Sequence, residues 1–215
     1  MELQKPFDRI YLLTHQCDYV RLRTSSQWHP EVGTLTFGNK KWTVKDYSDC
    51  NWFVRNSYAK MLLKRELNAI SMLNGIEGVP QNPFFVDSCC LAFEYVEGDS
   101  LRDYPADKIT PEFLTECERI LRDIHKKGLV HLDTGAMGNW IVKPDNRPAL
   151  IDFQTAMKTR GLPSRLVGFL KAMDLRGVYK KWIAFHPNEM GEKRKKAAER
   201  FEKIRKIWLF HPKKK

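Results

Sequence analysis

A polar loop between two apolar runs is the feature that most constrains this chain. The stretch GLVHLDTGAMGNWIV, residues 128–142, holds His131, Asp133 and Asn139, and the apolar segment ALIDF follows it with Asp152 near its end. Apolar runs of this length, bounded by polar and glycine-rich turns, are typical of short buried strands. Two interpretations fit the loop: a polar turn between strands, or a loop that handles phosphate with a base and a metal ligand.

The order of predicted elements indicates an α+β protein. The segment GTLTFGNKKWTVKDY predicts a hairpin turning at Gly38-Asn39. A helix is predicted in WFVRNSYAKMLLKRELNAISMLNG, and a buried strand in CCLAFEYVEG. A second helix follows in TPEFLTECERILRDIHKKG, where Thr110 suits the N-cap. After two short strands the chain reads as helical, so we predict a β-rich domain over residues 1–97 and a mainly helical one over 98–215.

Charge and composition restrict the setting and the partners. The chain of 215 residues has a net charge of +11, and residues 192–215 hold 11 Lys/Arg against 3 Asp/Glu. Such a tail favours an anionic partner, although it is also typical of a solvated helix face. The sequence has no signal-peptide pattern and no apolar run of membrane-spanning length, and its five scattered cysteines indicate reduced core residues. We therefore expect a cytoplasmic protein, either free or peripheral on the inner face of the membrane.

Four features occur in the order that phosphoryl transfer from ATP requires. Lys45 lies in a predicted strand, and Glu66 lies in a helix 21 positions later. Asp133 and Asn139 lie in the polar loop, and Asp152 ends a short strand. This chemistry needs a lysine on the phosphates, a carboxylate that holds it, a base for the acceptor hydroxyl, and oxygen ligands for Mg²⁺. Each residue alone has an ordinary structural explanation, but the ordered set is more specific.

The sequence from about residue 41 to 157 resembles the protein-kinase-like superfamily in its atypical bacterial branch. That branch includes the lipopolysaccharide core kinases for Kdo and heptose and the RIO-type kinases. LKRELNAISMLNGIEGVP resembles the helix C region, LAFEYVEGDSL the hinge, LRDIHKKGLVHLDTGAMGNWIV the catalytic loop and RPALIDFQTA the metal-binding strand. The resemblance implies a small bilobal fold, with a β-rich N-lobe carrying one main helix and a mainly helical C-lobe.

The resemblance also implies a role for each matching residue. It makes Asp133 the catalytic base, Lys45 the phosphate contact and Glu66 the anchor of that lysine. The remaining roles are adenine binding by the backbone of Glu94, Tyr95 and Val96, Mg²⁺ binding by Asn139 and Asp152, and a structural role for His131. The implied cofactors are ATP and Mg²⁺.

The sequence departs from the family pattern at four places. Six positions separate Asp133 from Asn139, where kinases usually have five, so the loop has to bulge by one residue. No G-x-G-x-x-G is present, and Ser25 and Ser26 of RTSSQWHPEVG are the candidates to cover phosphates in its place. Gln154 replaces the glycine after DF, and no A-P-E motif follows. The short segment after Gln154 favours an acceptor that is not a protein.

Several functions therefore remain open from the sequence. The leading expectation is an ATP-dependent kinase for a hydroxyl of a sugar or glycolipid, such as lipopolysaccharide core. The alternatives are a RIO-like protein Ser/Thr kinase and a nucleotide-binding pseudokinase. A nucleic-acid binder ranks last, because only charge and scattered aromatic residues favour it. The basic C-terminal helix either docks on its own domain or lies on an anionic membrane surface, and the oligomeric state stays open.

Overall fold

The structure, a computed structural model, describes residues 5–208, apart from the side chains of residue 16 and of residues 204–208. The helices are α1 (Arg9–Thr14), α2 (Ala59–Met72), α3 (Pro111–Lys126), α4 (Ser164–Phe185) and α5 (Glu192–Trp208). The strands are β1 (Tyr19–Arg23), β2 (Glu31–Phe37), β3 (Lys40–Asp46), β4 (Phe84–Asp87), β5 (Cys90–Glu94), β6 (Asp99–Ser100), β7 (Leu129–Val130), β8 (Trp140–Val142), β9 (Pro148–Leu150) and β10 (Met157–Lys158). Short 3-10 turns lie at Gln16–Asp18, Ala106–Lys108, Met137–Asn139 and Phe153–Thr155.

The described chain forms two compact units. The first contains the residues up to Glu97 together with Ile151–Met157, and the second contains Gly98–Leu150 and the residues from Lys158 onward. The first unit is rich in strands and the second is mainly helical, as the α+β prediction requires. The segment Ile151–Met157 differs from the predicted division, which placed it in the second domain. It belongs to the first unit because its turn packs against α2.

An antiparallel five-stranded sheet, in the order β1-β2-β3-β5-β4, forms the centre of the first unit. The predicted hairpin is confirmed: β2 pairs with β3 along its whole length, and the turn lies at Gly38-Asn39. Gly38 has a φ of 59°, a left-handed conformation that glycine adopts at little cost. This hairpin fixes the register of β3, the strand that carries Lys45.

Side chains alternate across β3, so its two faces have different environments. Trp42 and Val44 are buried in a cluster with Leu35 and Ala92 of neighbouring strands, and Phe7 and Leu12 from the α1 region complete this cluster. Lys45 points to the opposite face. The alternation along β3 therefore directs Lys45 away from the apolar cluster and towards Glu66 of α2.

The segment predicted as one long helix has two parts. Val54–Tyr58 forms a π-helical turn, and α2 continues from Ala59 to Met72. Leu62, Leu63 and Ile70 are buried along α2, and Glu66 is buried on the same side. The helical spacing thus carries a carboxylate into the interior of the unit.

The second unit is built around α3, α4 and a small sheet in the order β6-β8-β9. Thr110 caps α3 as predicted, because its side chain accepts a hydrogen bond from the N–H of Phe113 at 3.2 Å. In α5, Phe201 is buried and stacks on Phe169 of α4 with ring centroids 5.6 Å apart. The described part of α5 therefore docks on its own unit. Within residues 5–208, none of the helices combines the length and the apolar character needed to cross a bilayer.

Two smaller predictions need correction. The strand predicted over CCLAFEYVEG is shorter, Cys90–Glu94, and its register with β3 ends at the pair of Trp42 with Glu94. Cys50, Cys90 and Cys117 are buried as expected, but Cys17 is exposed and Cys89 is only half-buried in a turn.

Candidate active site

The first unit contains a buried lysine in contact with two carboxylates. The Nζ of Lys45 lies 2.6 Å from Oε1 of Glu66 and 3.0 Å from Oδ1 of Asp152. These residues are 21 and 107 positions from Lys45 in the chain. The side chain of Glu66 is 0% exposed and that of Lys45 is 8% exposed, whereas the side chain of Asp152 is 42% exposed. The cluster therefore has one closed side and one open side.

Burial and charge together set the protonation of this cluster. Burial alone would lower the pKa of Lys45, but the carboxylates of Glu66 and Asp152 outweigh it and the pKa lies above its usual value. Burial raises the pKa of Glu66, although the Lys45 ammonium opposes that shift. Oε1 of Glu66 also accepts the N–H of Phe153 at 3.3 Å. Glu66 thus fixes both the lysine and the backbone next to Asp152.

The backbone at Asp152 has a left-handed conformation, with φ 66° and ψ 73°. Aspartate is one of the few residues other than glycine that adopt this region, at a cost of about 1–3 kcal/mol. The predicted strand that Asp152 was expected to end stops earlier, at Leu150, and Asp152 directly precedes the 3-10 turn Phe153–Thr155. Because the turn packs on α2, the surrounding structure holds Asp152 in this conformation.

Asp133 and Asn139 meet in the second unit. The side-chain Nδ2 of Asn139 donates to Oδ2 of Asp133 at 2.8 Å and to the carbonyl of Asp133 at 3.1 Å. Asp133 is exposed, and Asn139 is half-buried. The loop therefore accommodates its additional residue while it keeps these two side chains in contact. His131 is fully buried beside them, and its Nδ1 accepts the N–H of Asp133 at 3.2 Å.

Helix α4 holds the start of this loop through Asp174, which is 0% exposed. Its carboxylate accepts the N–H of His131 at 2.9 Å and the N–H of Leu132 at 2.7 Å. It also bonds Nε2 of His125 at 2.9 Å. Leu132 has a φ of 69°, which is strained for a residue with a Cβ. The carboxylate of Asp174 thus stabilises an otherwise unfavourable turn just before Asp133.

The same helix holds the other end of the loop through Lys181, which is also 0% exposed. Its Nζ donates to the carbonyl of Thr134 at 2.7 Å and to the carbonyls of Gly135 and Gly177 at 3.3 Å each. Burial lowers the pKa of Lys181 to about 8. Asp174 and Lys181 lie seven positions apart, two helical turns, so both side chains extend from the same face of α4.

Gly177 lies between these two residues and allows the close approach of helix and loop. A Cβ at this position would lie 2.1 Å from Oγ1 of Thr134 and 2.7 Å from the N of Gly135. The hydroxyl of Thr134 donates to the backbone carbonyl of Asp174 at 2.7 Å. At Gly177, helix α4 therefore comes close to the backbone of Thr134 and Gly135.

The remaining predicted residues lie in the first unit. Among the three hinge residues, the N–H of Glu94 donates to Gln81 and that of Tyr95 donates to Lys41, each at 2.9 Å. The side chain of Glu94 bonds Lys40 and Asn82. Within residues 5–208, the N–H of Val96 has no acceptor. An adenine would therefore have to use this N–H or the carbonyls.

Ser25 and Ser26 lie in the loop that joins β1 to β2. The hydroxyl of Ser26 accepts the N–H of His29 at 3.1 Å, and the N–H of Ser26 donates to the carbonyl of His29 at 3.0 Å. The loop thus closes on itself through Ser26. Its donors and hydroxyls form a short turn, not the open glycine loop of the usual kinase pattern.

The donor chemistry of the predicted metal residues fits Mg²⁺. Asp152 offers a partly exposed carboxylate, and Asn139 uses both hydrogens of its amide nitrogen on Asp133, which leaves the amide oxygen for a cation. Among the described residues, no group of three or more His, Cys, Asp and Glu side chains could hold a metal by itself. Mg²⁺ usually keeps water ligands and joins few protein oxygens to substrate phosphates, so such a cage is not required.

The structure thus brings Lys45, Glu66 and Asp152 together in one unit and Asp133 and Asn139 together in the other. Sequence reasoning missed Asp174 and Lys181. A signal for both was available, because they occupy the same helical stripe as the buried residues Leu170, Val178 and Trp182. Charged residues on the apolar side of a helix are rarely buried without a partner, so their position indicated a polar contact inside the unit.

A comparison with solved structures finds the same fold in the Rio2 kinase from Chaetomium thermophilum, solved as a complex with ADP/Mg²⁺ and phosphoaspartate. The match has a TM-score of 0.58 at 11% sequence identity, and it covers 93% of this chain and 75% of that chain. No family model matches the sequence, and no curated protein matches it. The predicted α+β fold of the protein-kinase-like type is confirmed by this likeness.

Proposed function

We propose that the protein is an ATP-dependent phosphotransferase that phosphorylates a hydroxyl of a sugar or glycolipid acceptor, such as lipopolysaccharide core. The observation that carries the proposal is the buried contact of Lys45 with Glu66 and Asp152. A buried ion pair is costly to maintain, because both charges lose their hydration and removing the lysine would leave the buried carboxylate without a partner. The same arrangement presents a fixed cation to nucleotide phosphates.

Each residue has a defined part in this proposal. Lys45 binds the phosphates and Glu66 positions it, while Asp152 and Asn139 hold Mg²⁺. The ion, when bound, offsets the charge that develops on the phosphate oxygens. Asp133 is exposed and fixed by Asn139, so its carboxylate accepts the proton of the acceptor hydroxyl. The acceptor oxygen bonds to the γ-phosphorus as the bond to the ADP oxygen breaks, which gives a phosphate ester and ADP.

The short segment after Asp152 supports the proposed class of acceptor. Only Phe153–Thr155, β10 and a short turn precede α4 at Ser164, which leaves little chain to bind a peptide. A RIO-like protein Ser/Thr kinase is the second candidate, favoured by the structural likeness to Rio2 kinase. A pseudokinase is the third, because the glycine loop is missing and the loop between Asp133 and Asn139 is longer than usual.

The test is a transfer assay with the purified protein, Mg²⁺ and γ-labelled ATP in a bacterial envelope extract. We expect label in the glycolipid fraction, and loss of about 100-fold or more of the rate in Asp133→Ala, with ATP affinity nearly unchanged. Asp152→Ala should weaken Mg²⁺-dependent nucleotide binding as well. Asp145→Ala is the matched control, because this exposed aspartate lies in the turn between β8 and β9.

Each result separates the candidates. Label in protein instead of glycolipid would favour the RIO-like function. Nucleotide binding without transfer, unchanged by Asp133→Ala, would favour the pseudokinase. Normal turnover in both Asp133→Ala and Asp152→Ala would refute the assignment of these residues.

A further inference from the structure

The first unit carries a group of exposed apolar side chains that its own core does not use. Trp52 and Phe53 directly precede the π-helical turn, Tyr58 ends that turn and Met61 lies in α2. Their exposed fractions are 69%, 63%, 48% and 48% in that order. Trp28, in the loop between β1 and β2, is 61% exposed. Single exposed apolar residues are common, but five large ones from two neighbouring segments form an unusual surface. We call these five side chains the aromatic face.

Two hydrogen bonds hold the segments of the aromatic face next to each other. The N–H of Asn51 donates to the carbonyl of Gln27 at 3.2 Å. The thiol of Cys50 donates to the carbonyl of His29 at 3.2 Å. Trp28 lies between the two bonded residues of its loop, and Trp52 directly follows Asn51. The two tryptophans therefore come from adjoining stretches of the surface.

The residues of the aromatic face are not the ones that pack this helical segment into the first unit. Val54, Ala59, Leu62 and Leu63 already provide the stripe that packs into the first unit. Phe53 and Met61 are eight positions apart and belong to the opposite, solvent-facing side, together with Lys64. A helix that needs only one apolar stripe for packing is normally polar on its other side. Here the outer side is aromatic and basic.

The charge around the aromatic face is mainly positive, although the exposed Asp49 lies three positions before Trp52. Residues 51–65 contain Arg55, Lys60, Lys64 and Arg65 and no acidic residue. Lys60, Lys64 and Arg65 are exposed. The adjoining residues 19–30 contain two arginines and again no Asp or Glu, although Arg21 pairs with Glu31 of β2. The face therefore combines interfacial aromatic residues with a cationic border.

We propose that the aromatic face docks on the surface of an anionic phospholipid bilayer. Tryptophan and tyrosine favour the boundary between headgroups and acyl chains, and each nearby lysine or arginine adds attraction to an anionic surface. The proposal extends the function proposed above, because a glycolipid acceptor is presented at such a surface. Docking itself requires neither ATP nor transfer, so it can be measured separately.

This location differs from the one that the charge distribution of the sequence favours. The basic C-terminal segment was the expected membrane contact, but the described part of α5 packs against α4 through Phe201 and through the ion pair of Arg176 with Glu202. Phe201 is therefore buried within its own unit. The aromatic face has both exposed apolar side chains and exposed basic residues, and bilayer binding by an interfacial surface uses both.

The first experiment is co-sedimentation of the full chain, without nucleotide, with vesicles of phosphatidylcholine that contain increasing phosphatidylglycerol. We expect binding that rises with the anionic lipid and falls with salt. The double substitution Trp52→Ser and Phe53→Ser should weaken binding at least tenfold. Its control is Ile10→Ser with Leu13→Ser, which removes two exposed apolar side chains from α1 of the same unit. That control should bind as the unmodified protein does.

A second pair of variants tests the charge. Lys60→Gln with Lys64→Gln should weaken binding about 30-fold, since each basic residue contributes about fivefold at an anionic surface. Lys126→Gln with Lys127→Gln is the control, because these exposed lysines lie at the end of α3 in the second unit. All variants replace exposed side chains, so their thermal unfolding should match that of the unmodified protein.

Three results would overturn the proposal. Binding that survives both face variants but is lost on changing Lys213, Lys214 and Lys215 to Gln would move the contact to the C-terminus. Vesicle binding that is absent at all lipid compositions would remove the membrane as the partner. Face variants that weaken binding to single-stranded RNA, and not to vesicles, would identify a nucleic-acid surface. A failure of the transfer assay, with vesicle binding intact, would refute only the proposed function.

Discussion

Breaking the contact of Lys45 with Glu66 should unfold the first unit at much lower denaturant concentration. Lys45→Met leaves the carboxylate of Glu66 buried without its cation, and Glu66→Leu leaves Lys45 buried with only the partly exposed Asp152. Removing one partner of a buried ion pair costs about 3–5 kcal/mol. Because a whole domain is stable by about 5–15 kcal/mol, each single variant should lose a large share of its free energy of unfolding.

The double variant should lose much less than the sum of the two single variants. Methionine and leucine are close in volume to the side chains that they replace, and neither leaves a buried charge. The remaining loss is the acceptor of the Phe153 N–H, worth about 1 kcal/mol. Asp152 stays hydrated because its side chain is 42% exposed. Because the two single losses sum to about 6–10 kcal/mol and the double variant loses about 1 kcal/mol, we expect the substitutions to couple by about 5 kcal/mol or more.

Urea unfolding of the four proteins, followed by circular dichroism and tryptophan fluorescence, measures this coupling. The slope against urea should not change, since the surface exposed on unfolding is the same. Single variants that each lose less than about 1 kcal/mol, or losses that simply add, would refute a buried, mutually dependent pair. The same proteins test the proposed function, because all three variants should lose nucleotide binding whatever their stability.

Three further predictions concern the support of the 131–135 loop by α4. Burial lowers the pKa of Lys181 from 10.5 to about 8, so between those pH values the unfolded chain binds this proton more tightly than the folded protein does. The free energy of unfolding of the unmodified protein, measured relative to Lys181→Met, should therefore rise by roughly 3 kcal/mol across that window. A difference that does not change with pH would mean that the carbonyl acceptors keep the pKa of Lys181 near its ordinary value. Gly177→Ala should lower the melting temperature, because its Cβ would meet the loop backbone, whereas Gly168→Ala in the same helix meets nothing within 4 Å and should raise it slightly. Asp174→Asn should cost about 1–3 kcal/mol in urea unfolding, since an amide cannot accept all three donors that the carboxylate accepts; an unchanged midpoint would contradict that network.

Local patterns predicted most of the fold because short-range chemistry determines it. The hairpin at Gly38-Asn39, the cap at Thr110 and the helical stripe of α2 each depend on neighbours within a few positions. The π-helical turn Val54–Tyr58 was not predicted, because its residues have the same apolar spacing as an ordinary helix. The assignment of Ile151–Met157 to the first unit was also missed, since it depends on packing against a helix about 90 positions earlier.

The candidate residues were predictable as chemical types, but their support was not. Lys45, Glu66 and Asp152 could be chosen because a nucleotide site needs those groups in that order, and the structure brings these three into contact. Their roles in phosphoryl transfer stay predictions. Asp174 and Lys181 belong to no known ordered set of catalytic groups, and they lie more than 40 positions from the loop residues that they contact. Only the tertiary packing of α4 reveals that they act on it.

The additional residue between Asp133 and Asn139 is one of the departures that favoured a pseudokinase, and the support of this loop by α4 weakens that argument. An inserted residue forces backbone carbonyls out of their usual pairing, and buried carbonyls without donors are costly. Lys181 donates to the carbonyls of Thr134 and Gly135, the two residues directly after Asp133. Asn139 still reaches both the carboxylate and the carbonyl of Asp133. The longer loop is therefore compensated by a buried lysine, so its length alone does not argue against an intact pairing of Asp133 with Asn139.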